Sequence, residues 1–588
     1  MTQSFSTLAE LFENSVQEFA DNDLFGTKTA DGSWTWSSYR QFGDAVHQAR
    51  AGLAQRGIQA GDRVGVISDN REEWAILAFA CYGLGACLVP MYQAQLPEEW
   101  SFIIDDCQAK LVCCATEAIH SKMQSLTAEL KSLETVIGFD IADDHQDSFH
   151  GLLAAGKESP VASKNPEPSD IAQFIYTSGT TGNPKGVKLS HSNFSNNVLA
   201  ASSRFDFGPG ERSLAFLPWA HSFGQTAELY TLFYYGAAMA INDEIPQLVG
   251  NLADVKPTVL VAVPRIFNRI YDGVNKKIAD KPLPIRKLFH SAVETATRMD
   301  AGHRPGLLAG VGHKLADRLI FSGVRERFGG RLRFVVSGSA ALSTEVAQFI
   351  SALGIEVYEG YGLTETSPIV TANYPGHRKL GSVGPTLPGV RVNIDPSATG
   401  DAVNGEIIVY GPNVMQGYHH RDEENAQVLM ADGGFRTGDM GYLDDDGYLF
   451  ITGRIKEQYK LENGKYVVPS PLEEELKLSP FITNIMLFGA NRPHNVALVV
   501  PDIAALEAWA ASEKVDLSNA AKSDEVQKLL FGELEKYSAS FKGYERPRSI
   551  CITLDDFTTE NNMLTPTMKL KRRTVLSVYQ AQLEELYD

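Results

Sequence analysis

The eleven residues 176–186 read YTSGTTGNPKG, and they contain almost no side chain that a protein core could bury. Strand-like apolar residues lie on both sides, IAQFIY at 171–176 and GVKLSH at 186–191. The sequence therefore predicts a β-hairpin with this segment at its tip. Backbone N–H groups exposed by glycine, the hydroxyls and the Lys185 ammonium are donors that can hold phosphate oxygens. Taken without its order, such a loop is also typical of a mobile protein surface.

The order of these residues differs from that of the common P-loop, in which a glycine is followed by Lys and a hydroxyl residue at the start of a helix. Here Asn183 and Pro184 follow the second glycine. The segment instead resembles the phosphate loop of the adenylate-forming ligases, the superfamily of acyl-CoA synthetases, firefly luciferase and nonribosomal adenylation domains. The resemblance implies binding of the ATP phosphates, with Thr177 also ligating Mg²⁺. The residues that it assigns to the nucleotide are Thr177, Ser178, Gly179, Thr180, Thr181, Gly182 and Lys185.

The composition is that of a large globular protein with more than one domain: 588 residues, 44% hydrophobic and 21% charged. The net charge of −19 argues against nucleic-acid binding. The sequence also shows no polybasic run that would predict binding to an anionic membrane. Its six cysteines lack the spacing of a zinc site, so we expect buried thiols in a reducing compartment.

The N-terminus shows no signal peptide, but one later stretch resembles a membrane span. Residues 74–92 are 19 residues without a charge, close to the ~20 needed to cross a bilayer. Gly83, Gly85 and Pro90 interrupt them, so a buried helix to about Tyr82, a turn and a short strand are predicted instead. We therefore expect a cytoplasmic protein, and we leave open a transient contact with the inner face of a membrane.

The pattern of apolar residues predicts two domains. Short strands alternate with helical patterns through residues 7–170, which is typical of an α/β fold with a largely parallel sheet. Residues 401–452 change to alternating strands with Gly and Asp turns, which predict a β-rich subdomain. The sequence then becomes polar and basic. We therefore expect a large ATP- and acyl-binding domain over residues 1–452 and a small, mobile α+β C-terminal domain over 453–588.

The segment YEGYGLTETSP, residues 358–368, follows an apolar strand pattern and by itself could be a plain turn. A tyrosine ring can stack on a purine, and a glutamate can hold Mg²⁺ against triphosphate oxygens. The segment is similar to the adenine and magnesium motif of the adenylate-forming ligases. By that resemblance, Tyr361 stacks on adenine and Glu365 ligates the metal. The other residues carried over are Glu359 and Gly360 at the adenine and Thr364 at the α-phosphate.

Two further segments resemble nucleotide-binding parts of the same family. SGSAAL at 337–342 is similar to the segment that lines the adenine and acyl pockets, which implies a place there for Gly338. An aspartate between glycines, as in FRTGDMG, is usually a turn residue. A carboxylate can also accept both ribose hydroxyls, and this T-G-D followed by I-T-G-R resembles the family closely. The resemblance assigns Asp439 and Arg454 to the ribose.

The basic residues after the predicted boundary could be a solvated linker. In the family this segment is the hinge about which the small domain rotates. The resemblance assigns Lys456 to the hinge and Lys460 and Gly464 to a loop that enters the site for thioester formation. TPTMKLKRR near the C-terminus resembles the stretch that carries the catalytic lysine, here Lys569. A lysine bridging a carboxylate and an α-phosphate offsets the repulsion between two anions.

The segments FLPWAHSFGQTAELY (216–230) and PTVLVAVPRIFNRI (257–270) look most like those of long-chain fatty-acid–CoA ligases. The resemblance places His221 near the acyl substrate, although a lone histidine is more often structural. The aromatic residues around it would suit an acyl tunnel or an ordinary core equally well. They are Trp219, Phe223, Tyr230, Phe233 and Tyr234.

The resemblance implies that a long-chain fatty acid and Mg-ATP give an acyl-adenylate and pyrophosphate, after which CoA takes the acyl group and AMP leaves. One alternative is a ligase for a medium-chain or aryl acid. Another is transfer to a carrier-protein thiol, or release of the adenylate itself. A catalytically silent lipid-binding protein is a third, and the intact set Thr177, Glu365, Asp439 and Lys569 argues against it.

Overall fold

The computed structural model describes residues 4–177, 183–300, 303–398, 403–565 and 567–587. Within these ranges the strands form six sheets. In chain order the first elements are α1 (Leu8–Glu18), β1 (Asp23–Lys28), β2 (Trp34–Ser38), α2 (Tyr39–Gln55), β3 (Arg63–Ile67), α3 (Glu72–Leu84), β4 (Cys87–Met91), α4 (Pro97–Cys107), β5 (Leu111–Cys114), α5 (Glu117–Leu126), β6 (Thr135–Gly138), α6 (Phe149–Glu158), β7 (Ile171–Thr177) and β8 (Lys185–Ser190).

The largest sheet has six strands in the order β6-β5-β3-β4-β7-β8. Its strands are parallel except for β8, which runs antiparallel to β7. The predicted hairpin is therefore confirmed, and Thr177 and Lys185 are the register pair next to its connecting loop. Strands β4 and β5 are buried along their whole length, as expected for strands covered by helices on both faces.

The uncharged stretch of the sequence is a buried helix followed by a strand. Every residue of α3 from Trp74 to Leu84 is buried, and the helix ends at Gly85, whose φ of 70° is left-handed. The last helical residue, Leu84, lies two residues beyond the predicted helix end, and strand β4 begins soon after it at Cys87. Within the described residues, no helix is both long and apolar enough to cross a membrane.

The middle of the chain adds two four-stranded sheets, β2-β1-β10-β9 and β11-β12-β13-β14, and a set of helices. Its elements are α7 (His191–Ser202), β9 (Arg212–Ala215), a π-helix (Gly224–Tyr230), α8 (Thr231–Tyr234), β10 (Ala238–Ile241), α9 (Leu248–Val255), β11 (Val259–Ala262), α10 (Pro264–Ala279), α11 (Leu283–Asp300), α12 (Leu307–Ala316), a second π-helix (Asp317–Phe321), α13 (Ser322–Arg327), β12 (Phe334–Ser337), α14 (Thr344–Ala352), β13 (Glu356–Gly362) and β14 (Ile369–Ala372).

The last third begins with an antiparallel sheet, β15-β16-β17-β18, which is the predicted β-rich subdomain. Strand β18 runs two residues past the predicted boundary at 452/453, and the division itself stays a prediction. The elements are β15 (Arg391–Asp395), β16 (Gly405–Tyr410), α15 (Asp422–Val428), β17 (Phe435–Leu443), β18 (Leu449–Arg454), β19 (Tyr459–Lys460), β20 (Tyr466–Val467), α16 (Pro469–Leu476), β21 (Ile482–Phe488), β22 (Asn495–Pro501), α17 (Ile503–Glu513), α18 (Asp524–Tyr537), β23 (Pro547–Ile552) and α19 (Arg572–Glu584).

The C-terminal sheet β21-β22-β23 separates two apolar clusters of its own. Alternate residues of β21 and β22 point to opposite faces, as the period of two in a strand requires. Ile485 and Val499 pack with α16 and α18 on one face, whereas Met486 and Leu498 pack with α19 on the other. The five cysteines of the large part are buried and free, as predicted, and Cys551 is partly buried.

Helices α2 and α6 approach each other more closely than side chains would allow. A Cβ atom built on Gly156 would lie 1.9 Å from the Gln48 carbonyl oxygen, and one built on Gly52 would lie 2.3 Å from the Leu152 carbonyl oxygen. Distances under 3.0 Å are not seen between real atoms of this kind, so only glycine fits both positions without backbone movement.

We predict that Gly156→Ala lowers the melting temperature, because the methyl group forces α6 away from α2. Overpacking of this kind costs about 1–3 kcal/mol or more when backbone atoms must move. Gly273→Ala is the matched control, since Gly273 lies in the exposed middle of α10 with no atom within 4 Å of its built Cβ. That change should raise stability by about 0.5–1 kcal/mol. Thermal unfolding followed by circular dichroism measures both, and an unchanged melting temperature for Gly156→Ala would contradict the packing argument.

Candidate active site

The candidate site lies where the loop end of the β7–β8 hairpin meets the turn after β13. Tyr418 joins the two. Its ring centroid lies 5.2 Å from the Lys185 ammonium, and its hydroxyl donates to Glu365 Oε1 at 2.8 Å. The backbone holds the same junction, because the His419 N–H donates to the Gly186 carbonyl at 2.8 Å and the Met415 N–H donates to the Glu365 carbonyl at 2.9 Å.

The predicted phosphate loop is anchored at both of its ends. Thr177 and Lys185 are a register pair across the hairpin, so both lie at the base of the loop. The Lys185 ammonium is 3.7 Å from Glu424 Oε1, and its side chain is only 21% exposed. The other residues assigned to this loop lie outside the described residues. They are Ser178, Gly179, Thr180, Thr181 and Gly182.

Strand β13 carries the residues assigned to the adenine. Glu359 is buried, and burial raises the pKa of its carboxyl to about 7. The Leu342 and Gly381 N–H groups donate to this carboxyl and partly oppose the rise of its pKa. Gly360 leaves room for the neighbouring strand, since a Cβ there would lie 3.1 Å from the Thr371 carbonyl oxygen. Glu359 is therefore near half-protonated at neutral pH and can act as a hydrogen-bond donor or acceptor.

Asp439 is a buried carboxylate with a partner on each oxygen. Its Oδ2 accepts from the Tyr361 hydroxyl at 2.8 Å, and its Oδ1 is 3.0 Å from Arg454 Nε. Asp439 and Arg454 are a register pair of β17 and β18, so the sheet itself sets this contact. Burial raises the pKa of Asp439, and Arg454, Tyr361 and Lys569 oppose that rise. An ionised carboxylate keeps further lone pairs with which to accept other hydroxyls.

The turn after β13 is joined to the segment that contains His221. The hydroxyls of Thr364 and Ser222 are 3.1 Å apart, and both residues are buried. His221 Nδ1 accepts from the Phe223 N–H at 3.2 Å, so the neutral ring carries its proton on Nε2. Burial, together with the charge of Lys569, lowers the pKa of His221 to about 3. His221 is therefore a neutral donor at physiological pH.

Lys569 extends from the C-terminal part of the chain into this charged cluster. Its ammonium interacts electrostatically with Asp439 and Glu365, and its pKa is lowered first by desolvation and then by Arg454. The local turn is fixed by the Lys569 N–H donating to Thr565 Oγ1 at 3.0 Å and the Thr565 N–H donating to the Lys569 carbonyl at 2.8 Å. Two segments predicted separately therefore lie within electrostatic range of each other.

The hinge and thioester-loop candidates lie elsewhere. Lys456 is exposed in the turn after β18. Lys460 and Gly464 belong to the β19–β20 hairpin, where Gly464 has a φ of 84° and the Lys460 carbonyl accepts from the Asn491 N–H at 2.8 Å. Among the described residues, no hydrogen bond or ion pair joins Lys460 or Gly464 to Asp439 or Glu365.

Some of the residues predicted to lie near the acyl substrate belong to the main apolar core, whereas Phe223 lies beside the candidate site. Trp219, Tyr230 and Phe233 are fully buried in the main apolar core. Phe223 instead packs in a small apolar cluster with Leu217 and Val261, and Phe216, Ala227, Val263 and Val336 lie against it. Gly338 borders this cluster, since a Cβ there would be 2.9 Å from the Phe223 ring. Tyr234 packs against the main core as a partly buried residue.

Sequence analysis missed three residues that hold the site together: Ser222, Tyr418 and Glu424. Ser222 follows His221 directly, so the segment was identified but not this hydroxyl. Tyr418 and Glu424 occur in GYHHRDEEN, which contains no recognised motif. Only the pairing of Tyr418 with Val187 across the fold brings this segment to the phosphate loop. No signal in the sequence could have identified that pairing.

Family models match most of the chain. The model described as AMP-binding enzyme matches residues 12–419, and the model described as AMP-binding enzyme C-terminal domain matches residues 456–588. The chain belongs to the AMP-binding enzyme family. The resemblance inferred from the motifs is thereby confirmed.

Several curated proteins that are similar to this chain over almost its whole length are long-chain acyl-CoA synthetases. Long chain acyl-CoA synthetase 7, peroxisomal, of Arabidopsis thaliana is 30% identical over 611 residues, which cover 99% of this chain and 86% of the relative. Long-chain-fatty-acid–CoA ligase FadD15 of Mycobacterium bovis is 33% identical over 571 residues, covering 95% and 93%. The chain is thus a member of a family of acid–thiol ligases.

Solved structures share the fold. The adenylation domain of a carboxylate reductase from Mycobacterium chelonae superposes with a TM-score of 0.79 at 24% identity, covering 99% of this chain and 91% of that one. The anthranilate CoA ligase AuaEII, solved with anthranoyl-AMP, gives 0.74 at 20% identity and covers 98% of both chains. The predicted fold class, an α/β large domain with a small C-terminal domain, is therefore confirmed.

Glu228 is a buried acid in the π-helix beside the site. The π-helix packs against the motif turn, where Thr226 Oγ1 donates to the Ser367 carbonyl at 3.1 Å. Neither Glu228 carboxyl oxygen has a hydrogen-bond partner within the described residues. Burial raises the pKa of Glu228 to about 8, with a smaller opposing effect from the Ser213 hydroxyl. The carboxyl is therefore mostly neutral at pH 7.

We predict that Glu228→Gln becomes more stabilising relative to wild type as pH rises from about 5 to about 8. The unfolded Glu228 ionises near pH 4.5 and the folded one near 8, so its contribution to stability is complete below 4.5 and is lost as pH approaches 8. Gln has the same shape and does not titrate. The difference in melting temperature between the two proteins, measured across this range, tests the sign. A constant difference would show that Glu228 ionises normally in the fold.

Proposed function

We propose that this enzyme activates a long-chain fatty acid with ATP and transfers the acyl group to CoA. The observation that carries the proposal is that Asp439, held by Tyr361 and Arg454, lies within electrostatic range of the Lys569 ammonium, as Glu365 does. These are the cation and the anions that the adenylate-forming reaction requires. The names and full-length similarity of the long-chain acyl-CoA synthetases support the choice of acid.

In this proposal ATP lies across the ends of β7, β13 and β17. Adenine stacks on Tyr361, and its amino group donates to Glu359. The neighbouring Gly360 has no side chain, so the base can lie close to the backbone. The ribose hydroxyls donate to Asp439, which Arg454 holds in place at 3.0 Å. The hairpin supplies donors for the phosphates, from Thr177 to Lys185.

The donors present suit Mg²⁺. Among the described residues no cluster of three or more His, Cys, Asp and Glu side chains could hold a metal by itself. Magnesium in nucleotide enzymes needs only one or two carboxylates, because phosphate oxygens and waters complete its shell. Glu365 and the Thr177 hydroxyl are hard oxygen ligands of this kind. Bound there, the ion would neutralise charge on the triphosphate.

Lys569 acts in the first half-reaction. A fatty-acid carboxylate oxygen attacks the α-phosphorus of ATP, a P–O bond forms, the bond to the β,γ-phosphates breaks and pyrophosphate leaves. The Lys569 ammonium bridges the two anions, and the Thr364 hydroxyl, fixed by Ser222, donates to the α-phosphate. Desolvation lowers the pKa of Lys569, but the charges of Asp439 and Glu365 oppose this shift. They therefore favour the ammonium form, which the reaction needs.

His221 orients the acid as a donor. Its Nδ1 is occupied by the Phe223 N–H, so Nε2–H is the group left to bind the carboxylate. The small apolar cluster around Phe223, bordered by Gly338, provides the start of a path for the alkyl chain. A residue with a pKa near 3 does not act as a general base at neutral pH.

The second half-reaction needs a different arrangement. The CoA thiol, as thiolate, attacks the acyl carbonyl, a C–S bond forms and AMP leaves with the bond electrons. We propose that the part from residue 453 onward rotates about Lys456, which withdraws Lys569 and brings Lys460 and Gly464 to the site. The left-handed Gly464 allows the tight hairpin that would enter the cleft.

Pyrophosphate release measures the proposed reaction directly. The enzyme with ATP and Mg²⁺ receives saturated fatty acids of increasing length and benzoate, each with and without CoA. We expect release that depends on a long-chain acid and rises with CoA, together with AMP and acyl-CoA as products. Slow release that CoA does not change would indicate another acceptor, and activity with benzoate alone would contradict the fatty-acid assignment.

We predict that Lys569→Ala and Lys460→Ala separate the half-reactions. Lys569→Ala should slow acyl-adenylate formation on the order of 10²–10³, as loss of one electrostatic stabiliser does. It should leave acyl-CoA formation from supplied acyl-adenylate within a fewfold of wild type, whereas Lys460→Ala should show the reverse pattern.

The matched control is Lys528→Ala, on the exposed side of α18 in the same C-terminal part. It should leave both half-reactions unchanged. Equal losses of both half-reactions in the Lys569 variant would contradict two alternating arrangements of the small domain.

A further inference from the structure

Helices α11 and α12 present an apolar surface to solvent. Eight of the sixteen large hydrophobic side chains that the described residues leave exposed lie between residues 283 and 319. Leu307 and Leu308 are 92% and 91% exposed, which is close to the exposure of a side chain with no neighbours. The remaining six are Leu283, Ile285, Met299, Val311, Leu315 and Leu319. We call this set the α11–α12 surface.

On α12 the exposed residues form one face of an amphipathic helix rather than an unfolded segment, whereas Ile285 and Met299 continue the buried stripe of α11 at its two ends. On the inner face, Phe289, Ala292 and Phe321 are buried in the apolar cluster that also contains Phe349 of α14. On the outer face, residues 307, 311, 315 and 319 follow one another at intervals of four, so they form a single stripe along α12 and its π-helical continuation. A helix pair is thus anchored on one side and unpartnered on the other.

The same part of the chain is strongly basic. Residues 264–333 contain 15 of the 53 Lys and Arg residues but only 6 of the 72 Asp and Glu residues. This segment is net positive by nine in a chain whose net charge is −19. Five of these cations lie on or beside the α11–α12 surface, are exposed, and form no ion pair with the described residues. They are Arg286, Lys287, Arg304, Lys314 and Arg318.

We propose that the α11–α12 surface binds an anionic lipid bilayer. An amphipathic helix with aliphatic residues on one face and flanking cations partitions into the headgroup region, with the apolar face toward the acyl chains. Each Lys or Arg near an anionic surface contributes about 1 kcal/mol, a fivefold change in binding. No polybasic run marks this surface in the sequence, because its five cations are spread between residues 286 and 318 and belong to different helices and the segment between them.

The chemistry of the surface favours this occupant over others. A second copy would bring two net-positive faces together, which like-charge repulsion opposes. Nucleic acid would engage the cations and could stack on the exposed His290 and His303, but it would leave the aliphatic side chains of Leu307 and Leu308 without an apolar partner. Elsewhere the chain is acidic, so repulsion from an anionic bilayer would leave this face as the one that can approach it.

The surface is also connected to the candidate site. Helix α10 begins at Pro264, directly after Val261 and Val263 of the apolar cluster beside Phe223 and Gly338. It then runs 16 residues, or about 24 Å, toward α11. The choice of a lipid surface rests in part on the proposed fatty-acid substrate, which is supplied from membranes. Binding of the protein to vesicles can nevertheless be measured without any enzymatic turnover.

Vesicle flotation tests the proposal with the full chain. We expect the protein to float with phosphatidylcholine vesicles that contain about a third phosphatidylglycerol, and to float less with phosphatidylcholine alone or at high salt. Leu307→Glu with Leu308→Glu should lower the bound fraction at least tenfold, because charged groups then occupy the apolar face. Leu307→Asn with Leu308→Asn should lower it as well, which separates loss of apolar contact from added negative charge.

Leu554→Glu with Val578→Glu is the matched control, since both residues are exposed, at 44% and 52%, away from this surface. It should bind as wild type does, and all variants should keep the wild-type melting temperature because the replaced side chains are exposed. Absence of binding by the wild type, or equal binding by the Leu307/Leu308 variants, would overturn the proposal. A dimer in size-exclusion chromatography that the Leu307/Leu308 variants dissolve would assign the surface to a second copy instead.

Pyrophosphate release from a long-chain acid, supplied below its micelle-forming concentration and in the absence of vesicles, keeps this result separate from the proposed function. The Leu307/Leu308 variants should show wild-type rates there, because none of the replaced residues belongs to the site. Normal flotation by a protein without ligase activity would leave the lipid surface standing and reject the fatty-acid assignment. Normal ligase activity with no flotation would leave the fatty-acid assignment standing and reject the lipid surface.

Discussion

The buried carboxylate of Asp439 is the constraint on which the site depends. An unpaired buried charge costs far more than a folded domain can tolerate, so both of its oxygens must have partners. One partner, Arg454, comes from the adjacent strand, and the other, Tyr361, comes from a different sheet. The β-rich subdomain is therefore fixed to the strand that carries the adenine and magnesium motif. Movement of either sheet would leave an anion in the interior without compensation.

The same requirement for charge compensation explains how the C-terminal part of the chain can complete the candidate site. Lys569 is the cation that Asp439 and Glu365 favour, and the Lys571 ammonium lies 3.7 Å from Glu99 of α4. Such contacts across two parts of a chain are partly exposed, and exposed ion pairs are worth about 0–1 kcal/mol each. An interface held by charges of this kind can be exchanged for another at low cost, which an enzyme with two half-reactions needs.

The distribution of charge has a second consequence at the level of the whole molecule. An acidic surface repels anionic lipid, phosphate and nucleic acid alike, so binding of ATP or a bilayer must take place where cations are concentrated. Among the described residues, cations gather at the candidate site, where Lys569 lies within electrostatic range of Arg454, and in the segment of helices α10 to α13. Helix α10 connects them, and the apolar cluster at its first turn lies on the route between the two.

The sequence by itself determined the fold class and supplied most of the residues of the candidate site as predictions. The β7–β8 hairpin, the buried α3 and the β-rich subdomain follow from local patterns, because alternation and turn residues act over a few residues. Thr177, Glu365, Asp439 and Lys569 were found from long motifs. Tertiary structure alone decided which groups touch. Tyr418 meets Lys185 and Glu365, Glu228 becomes a neutral acid, and dispersed cations gather beside Leu307, because pairing between distant strands and helices is not encoded in any single segment.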